Sequence, residues 1–381
     1  MIKSITASTR EIDDADAAVS EITAALDPGN LKKNSIGIIS CFSDFCDTGV
    51  LKAVCDALPF DCIGATTCLC ATEKEIDQIF LTITVLTSDD CEFLTTYIPV
   101  SENYEERITS ALAGSLEKNG EKPAMLLSFF PLMNSLSGDM ILTAVDKVTG
   151  GIPLFGTAAV DHNVDYSTSK TIYNGESFRE AVVLGAIYGE PKVTFEIASL
   201  EENKIRSQKA IITKSDGNML INVNGKTALE YFEEIGLTKD DLTVGLGMIP
   251  FVVDYKDGTK AVARAAFTIT PEGHVACGGA MPENATLAIG NIDGTDIVNT
   301  SESAIKPLLD KDSFILSYSC AGRYFILGAN STAEAEKISE LAEDTQYMFA
   351  CSGGEICPLP NSEGKLKNYY HNFTNVICRF S

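Results

Sequence analysis

One plan recurs three times along the chain, and it constrains the fold more than any other feature. In the first unit, residues 35–66, Ser35 to Ser40 form a near-continuous apolar run of buried-strand length. A helix over 48–58 follows, with Val50, Leu51, Val54, Cys55 and Leu58 on one face, and then the strand Cys62 to Thr66. The second unit has the strand Ala124 to Phe130, a helix over 137–148 and the run Pro153 to Ala158. The third has Ser313 to Ser319, a helix over 332–344 and Gln346 to Ser352. Each reads strand, small or polar turn, helix, strand, then a turn rich in Gly, Thr or Ser. Two readings are open, a true internal repeat or units that any α/β architecture yields. In both, small residues gather past the carboxyl ends of strands, where backbone N–H groups and helix N-termini face a common crevice.

Between these units, Ile76 to Leu86 alternates polar and apolar residues and Glu92 to Pro99 follows a polar turn, which predicts a hairpin. Residues 104–119 are predicted helical, with Ile108, Leu112 and Leu116 spaced by four, and Asp13, Asp14 and Asp16 mark a helix N-terminus. Val182 to Tyr188 is apolar, Gly189-Glu190-Pro191 breaks it, and a strand resumes over 192–198. After the turn Ser215 to Asn218, Gly225-Lys226-Thr227 opens a helix bearing Ala228, Leu229, Phe232 and Ile235 and ended by Gly236. Asp257-Gly258 and Pro271-Glu272-Gly273 are hairpin-type turns. The expected fold class is α+β, two packed halves with mixed β-sheets flanked by helices, divided as 1–200 and 201–381.

Composition excludes several partners. Among 381 residues, Lys+Arg number 29 and Asp+Glu 53, a formal charge of −24. Neutralising phosphates needs clustered cations, so nucleic acid is not an expected partner, and an anionic membrane surface is disfavoured for the same reason. No run approaches the roughly 20 apolar residues of a membrane span, and the first residues, Met1 to Thr6, carry no secretion-type apolar region. With no export signal, the 12 cysteines point to reduced thiols in a cytoplasm.

In the second half, Ile221 to Gly236 resembles the opening of the C-terminal half of FIST sensory proteins. Ser319-Cys320-Ala321-Gly322-Arg323, followed by Leu327-Gly328, is similar to that family's Cys-x-Gly-Arg segment. Gly353-Gly354-Glu355-Ile356-Cys357-Pro358 and Tyr370-His371-Asn372-Phe373-Thr374 resemble its Gly-Glu-Ile and Phe-His-Asn-Gln-Thr signatures. In the first half, Ile63-Gly64-Ala65-Thr66-Thr67 sits where the family has a Gly-Cys-Ser/Thr segment followed by Gly-Glu-Ile; here Cys68-Leu69-Cys70 follows and the Gly-Glu is missing. Ile152 to Asp161 resembles the family's later Gly-rich turn. The resemblance implies a two-part sensory module that binds a small ligand, an amino acid being the favoured class, with output through a signalling protein partner.

The candidate chemistry centres on the C-terminal motifs. Cys320 ends an apolar strand with Arg323 three residues on, a setting that favours thiolate; the alternative is a small buried residue. Arg323 is placed to clamp a carboxylate through two parallel hydrogen bonds, or to pair with an internal acid such as Glu355. Glu355 follows Gly353 and Gly354, whose backbone freedom can expose N–H groups to a ligand. Arg323 and Glu355 together would match the two ends of a zwitterion, which suits an amino acid; a small carboxylate is the other ligand considered. The expected pocket takes Cys320, Arg323, Gly353, Gly354, Glu355 and His371 from the second half, with Gly64, Thr66, Gly156 and Thr157 from the first.

Two rival readings stand beside the sensor. A thiol-dependent enzyme would use Cys320, with His371 and Asn372 in a strand Tyr369 to Phe380; adjacent strand residues point to opposite faces, so Asn372 cannot orient His371 there. A haem or gas sensor would use His371, without a second ligand or attachment motif. Cys62, Cys68 and Cys70, with Cys41 or Cys46, lack the paired knuckles of structural zinc sites, and Gly245-Leu-Gly247 and Gly150-Gly151 are not dinucleotide fingerprints. No metal and no cofactor is expected.

Overall fold

The three recurring units fold as three sheets of identical topology. The computed structural model describes residues 1–114, 116, 121–133, 136–163, 167–237, 246–361 and 363–381. The first unit contains β1 (Lys3–Thr9), α1 (Ala15–Leu26), β2 (Asn34–Cys41), α2 (Val50–Asp56), β3 (Cys62–Thr66), β4 (Cys70–Thr72), β5 (Ile76–Asp77) and β6 (Leu81–Ser88). The second contains β7 (Glu92–Pro99), α3 (Tyr104–Leu112), β8 (Met125–Phe130), α4 (Gly138–Thr149), β9 (Leu154–Ala158), β10 (Thr171–Tyr173), β11 (Glu176–Phe178) and β12 (Ala181–Tyr188). The third opens with β13 (Val193–Ala198).

An insert then carries β14 (Ile205–Asp216), β15 (Met219–Val223), β16 (Lys226–Thr227), α5 (Ala228–Glu234), β17 (Phe251–Asp254), β18 (Val262–Arg264), β19 (Ala266–Ile269), β20 (Val275–Cys277) and β21 (Thr286–Gly290). The third unit resumes with α6 (Gly294–Ile305), β22 (Phe314–Cys320), α7 (Ala321–Leu327), α8 (Ala333–Ala342), β23 (Gln346–Ser352), β24 (Glu355–Pro360), β25 (Leu366–His371) and β26 (Asn375–Phe380).

The strand orders are β1-β6-β2-β3-β10-β11, β7-β12-β8-β9-β24-β25 and β13-β26-β22-β23-β4-β5. In each sheet only the third and fourth strands run parallel, β2 with β3, β8 with β9 and β22 with β23, joined through a helical crossover. The last two strands of each sheet come from another unit. The β4–β5 hairpin of the first unit completes the third sheet, β10–β11 of the second completes the first, and β24–β25 of the third completes the second. The recurrence is therefore a threefold internal repeat closed by a ring of exchanged hairpins. Hairpins cross residue 200 in both directions, so the two halves share sheets.

The apolar runs are near-continuous because each central strand is buried on both faces. Ile36 and Ile38 of β2, Met125, Leu127 and Phe129 of β8, and Phe314, Leu316 and Tyr318 of β22 meet in one core drawn from all three units. The alternate residues face outward under helices: Ile39 and Cys41 under α1 and α2, Leu126 and Phe130 under α3 and α4, Ile315 under α6 and α8. Each such side chain contributes about 1.5–3 kcal/mol of burial. The insert has its own core, with Phe232 stacked on Phe251 at 4.7 Å, and Thr227 and Glu230 form a capping box at the start of α5.

The α+β class with mixed sheets and flanking helices holds. Two local expectations do not. The hairpin expected from 76–86 and 92–99 is absent: β6 has both edges taken by β1 and β2, and β7 pairs with β12 in another sheet. The single strand expected over Tyr369–Phe380 is two strands in different sheets, because the turn at Asn372–Thr374 redirects the chain from β25 to β26. The predicted helix 104–119 ends at Leu112, and the tail of that range lies largely outside the described residues, as does Gly245.

Candidate functional site

The carboxyl ends of β3, β9 and β23 converge. Val160 N–H donates to Thr66 O at 3.1 Å, Gly353 N–H to Ala158 O at 2.9 Å, and Cys351 N–H to Leu69 O at 3.0 Å, so each strand end is tied to a neighbouring unit. The donated strands start here, and Glu355 is the first residue of β24. Its register partner in β9 is Thr157, and its partner in β25 is His371.

Glu355 is fully buried. Thr374 donates to its Oε2 from Oγ1 at 2.8 Å and from its backbone N–H at 3.3 Å. Its Oε1 is buried with no hydrogen-bond partner. Burial pushes the carboxyl up to about 8, against the hydrogen bonds from Thr374, the nearby Ser352 hydroxyl and the more distant Arg323. Ser352 Oγ accepts from Thr157 Oγ1 at 2.8 Å, so Thr157, Ser352, Glu355 and Thr374 form one polar cluster. Cys320 adjoins it. The Cys320 N–H donates to Thr374 O at 2.9 Å. Burial first, and the Glu355 carboxyl second, push the thiol well up. That is opposite to the direction of an activated nucleophile.

Tyr370 fills a slot that glycines keep open. A Cβ on Gly354 would lie 1.9 Å from the Tyr370 hydroxyl, and one on Gly138 would lie 2.1 Å from its ring. Neither Gly353 nor Gly354 offers a free N–H: Gly353 donates to Ala158 O, and Gly354 to Ser352 Oγ at 3.1 Å. The expected exposed backbone donors are thus engaged within the protein.

Arg323 does not face Glu355. Fully buried on α7, it pairs with Glu334 of α8, Nη2 to Oε1 at 2.7 Å and Nε to Oε1 at 3.2 Å. Nη2 also donates to Ile297 O and Ser301 Oγ, both at 2.9 Å, and Nη1 donates to Phe373 O at 3.4 Å. Ser319 Oγ donates to Glu334 Oε2 at 2.7 Å. The internal ion pair anticipated for Arg323 exists, with Glu334 in place of Glu355, because α8 brings Glu334 directly beneath it. Its donors are engaged, and no clamp remains for a ligand carboxylate.

The remaining candidates divide as follows. Gly64 and Gly156 face neighbouring backbone, where a Cβ would lie 2.0 Å from Ile39 O and 1.8 Å from Ser128 O, so these glycines serve the approach of parallel strands. Thr66 Oγ1 accepts from Lys170 N–H at 2.9 Å at the edge of the exchanged β10. His371 hydrogen-bonds through Nε2 to Cys357 O at 3.1 Å, and burial holds its ring neutral, pulled down to about 3. Asn372 lies in the turn, where its Oδ1 accepts from Ala265 N–H at 3.2 Å, so it does not orient His371. Among the described residues, no group of three His, Cys, Asp or Glu side chains is arranged to hold a metal ion.

Sequence reasoning missed the insert's contribution. Arg264 of β18 is fully buried over the same turn: Nη1 donates to Tyr370 O at 2.6 Å, Nη2 donates to the Tyr255 hydroxyl, and Nη2 lies 3.1 Å from Asp139 Oδ2 of α4. Asp139 Oδ2 in turn accepts from Ala280 N–H at 2.6 Å. The insert is thereby fastened to the second unit and to the turn beside Glu355. The available signal was a lone arginine within the otherwise apolar run Ala261 to Phe267. A surface cleft of about 950 Å³ lies elsewhere, between β13, β14 and α6, and none of the expected site residues lines it.

The family profile described as the FIST N domain matches residues 36–226, and that described as the FIST C domain matches residues 228–358. No curated protein sequence is significantly similar. The solved structure of a cyanuric acid hydrolase from A. caulinodans aligns with 100% of this chain and 99% of its own, at 8% identity and a TM-score of 0.39.

Proposed function

Because the chain belongs to the FIST family, whose domains are generally sensory and bind small ligands, we propose that it is a sensory module taking its ligand at Glu355. One observation carries this reading: a fully buried carboxyl at the meeting point of the three repeats, one oxygen held by Thr374 and the other without a partner. A buried polar atom left unsatisfied costs about 1–3 kcal/mol, more for a charged group, and a ligand that supplies the missing partner recovers it. Cys320, Thr157, Ser352 and Tyr370 surround the group.

The output runs through the insert. Arg264 grips Tyr370 O, and Ala265 grips Asn372, so a ligand that shifts the 370–374 turn pulls on the insert, and a protein partner reads its position. The twelve free thiols suit a cytoplasmic protein. The test is thermal-shift and calorimetric screening of the full chain against amino acids, small carboxylates and small amines. Hits that disappear in Glu355→Gln support the reading. A panel without hits, or hits indifferent to Glu355→Gln, overturns it.

A further inference from the structure

We propose that the group seated on Glu355 is the ammonium of a small primary amine, in place of a carboxylate or a zwitterion. This rests on the reading of Glu355 as the ligand site. The first support is the pairing of buried charges. Among the described residues, three acids are essentially without exposure. Glu334 is paired with Arg323. Asp161 has its oxygens held by the N–H groups of Asn163 and Thr168 and the Thr168 hydroxyl. Glu355 has no basic partner within ion-pair distance and one oxygen left without a hydrogen bond.

The second support is the absence, among the described residues, of a counter-group for an anion. Arg323 and Arg264, both fully buried, are already paired with Glu334 and Asp139. His371 across the register is held neutral, and the Gly353 and Gly354 N–H groups are engaged. Glu355 offers a ligand carboxylate no positive charge in either form, and once ionised, as pH rises through about 8, it would stand as a second negative charge with no cation among the described residues to neutralise the pair. An ammonium brings three donors and no acceptor. It would find the free Oε1 for a charge-assisted bond, with the Ser352 and Thr157 hydroxyl oxygens in the same cluster.

The third support concerns number. Tyr318 pairs with Ala350, Ser128 with Gly156 and Ile39 with Gly64, each two residues before its strand ends. The exchanged strands meet those three positions with Cys70, Ile356 and Ile172. One residue earlier stand Leu69, Glu355 and Thr171, so a single repeat supplies a carboxyl and the stoichiometry is one amine per chain.

Binding also carries a proton signature. An ammonium needs the carboxylate form, and burial holds Glu355 up to about 8. Affinity therefore rises about tenfold per pH unit between pH 5 and 7, levels off above 8, and is accompanied by proton release. The experiment is isothermal calorimetry of the full chain with methyl-, ethyl- and propylammonium chloride, glycine, alanine, acetate and propionate. It is run from pH 5 to 9 in buffers of different ionisation heat, on wild type, Glu355→Gln and Thr374→Val. One-to-one binding of an alkylammonium with proton release is expected. Glu355→Gln should lose at least about a hundredfold in affinity, and Thr374→Val should move the plateau to higher pH. Thr374→Val keeps the test alive if Glu355→Gln does not fold. Amino acids or carboxylates binding through Glu355 while the alkylammoniums do not would overturn the amine class and leave the ligand site standing. Alkylammonium binding unaffected by either variant, or no binding of any compound, overturns the proposal together with the site.

Discussion

Leu69 occupies in the first repeat the position that Glu355 occupies in the third. Both precede by one residue the pairing of an exchanged strand with its host, Cys70 on Ala350 and Ile356 on Gly156. Leu69 packs with Ala71, Val160, Ala321 and Phe349, so the Gly-Glu missing from the first half is replaced by an apolar plug. The three strand-end corners are alike in backbone and unlike in chemistry.

Glu355 makes stability depend on pH in an unusual direction. Its folded-state value is about 8 against an ordinary 4.5, so the native state binds more protons than the unfolded state between them. The stability it contributes is fully present below about pH 4.5 and is lost as pH rises through 8. His371 acts in the opposite sense: at about 3 against 6.5, it costs stability as pH falls below 6.5. Urea unfolding from pH 4 to 9 should show a decline above pH 6.5 that flattens in Glu355→Gln. An identical slope in the variant would contradict the burial of an unpaired carboxyl.

The Arg323–Glu334 pair is predicted to be structural. Arg323→Met or Glu334→Met alone leaves a buried charge uncompensated and should cost about 3–5 kcal/mol. Arg323→Met combined with Glu334→Met should recover part of that loss. Denaturant titration of the two singles and the double measures the coupling; additive losses would mean that the pair is not a unit.

Cys320 is expected to be inert. Buried and beside a carboxyl, its thiol is pushed up and lacks thiolate character at neutral pH. An alkylating reagent at pH 7 should modify the half-buried Cys46 well before Cys320, with Cys320 labelled only as the protein unfolds. Peptide mapping by mass spectrometry follows both sites. Fast Cys320 labelling that persists below pH 7 would restore the thiol-enzyme reading.

The proposed divide at residue 200 has its own test. Fragment 1–200 leaves the β9 edge without β24 and the β4–β5 hairpin without its sheet, while 201–381 lacks β4 on β23. Neither fragment expressed alone should unfold cooperatively, and co-expression should recover a complex with a native-like circular dichroism spectrum. A cooperative melt of fragment 1–200 alone would show that the exchange is dispensable.

The three units were legible because their central strands are apolar on both faces and their helices carry a stripe of period 3.6. Strands β3, β9 and β23 fall within a residue of the expected bounds. The exchange was not legible, since Cys70, Thr171 and Glu355 carry no local mark of which sheet they join. The supposed hairpin of β6 and β7 failed for the same reason: adjacency in sequence with a polar turn suggests pairing, yet β1 and β2 had already filled both edges of β6. At the site, Glu355 was identified from its motif, while the partner of Arg323 was not. That partner lies in the first turn of α8, where an acid reads equally well as a helix-dipole residue. Arg264 and Asp139 meet only through the insert's tertiary placement.

The exchanged hairpins bear on how the chain is made. Gly156 of β9 pairs with Ile356, a residue that leaves the ribosome some 200 positions later. At about 5–20 residues per second that is roughly 10–40 s during which a buried-type strand presents a bare edge. A nascent chain of this kind stands to gain from a chaperone that shields β9 until its last fifth is synthesised.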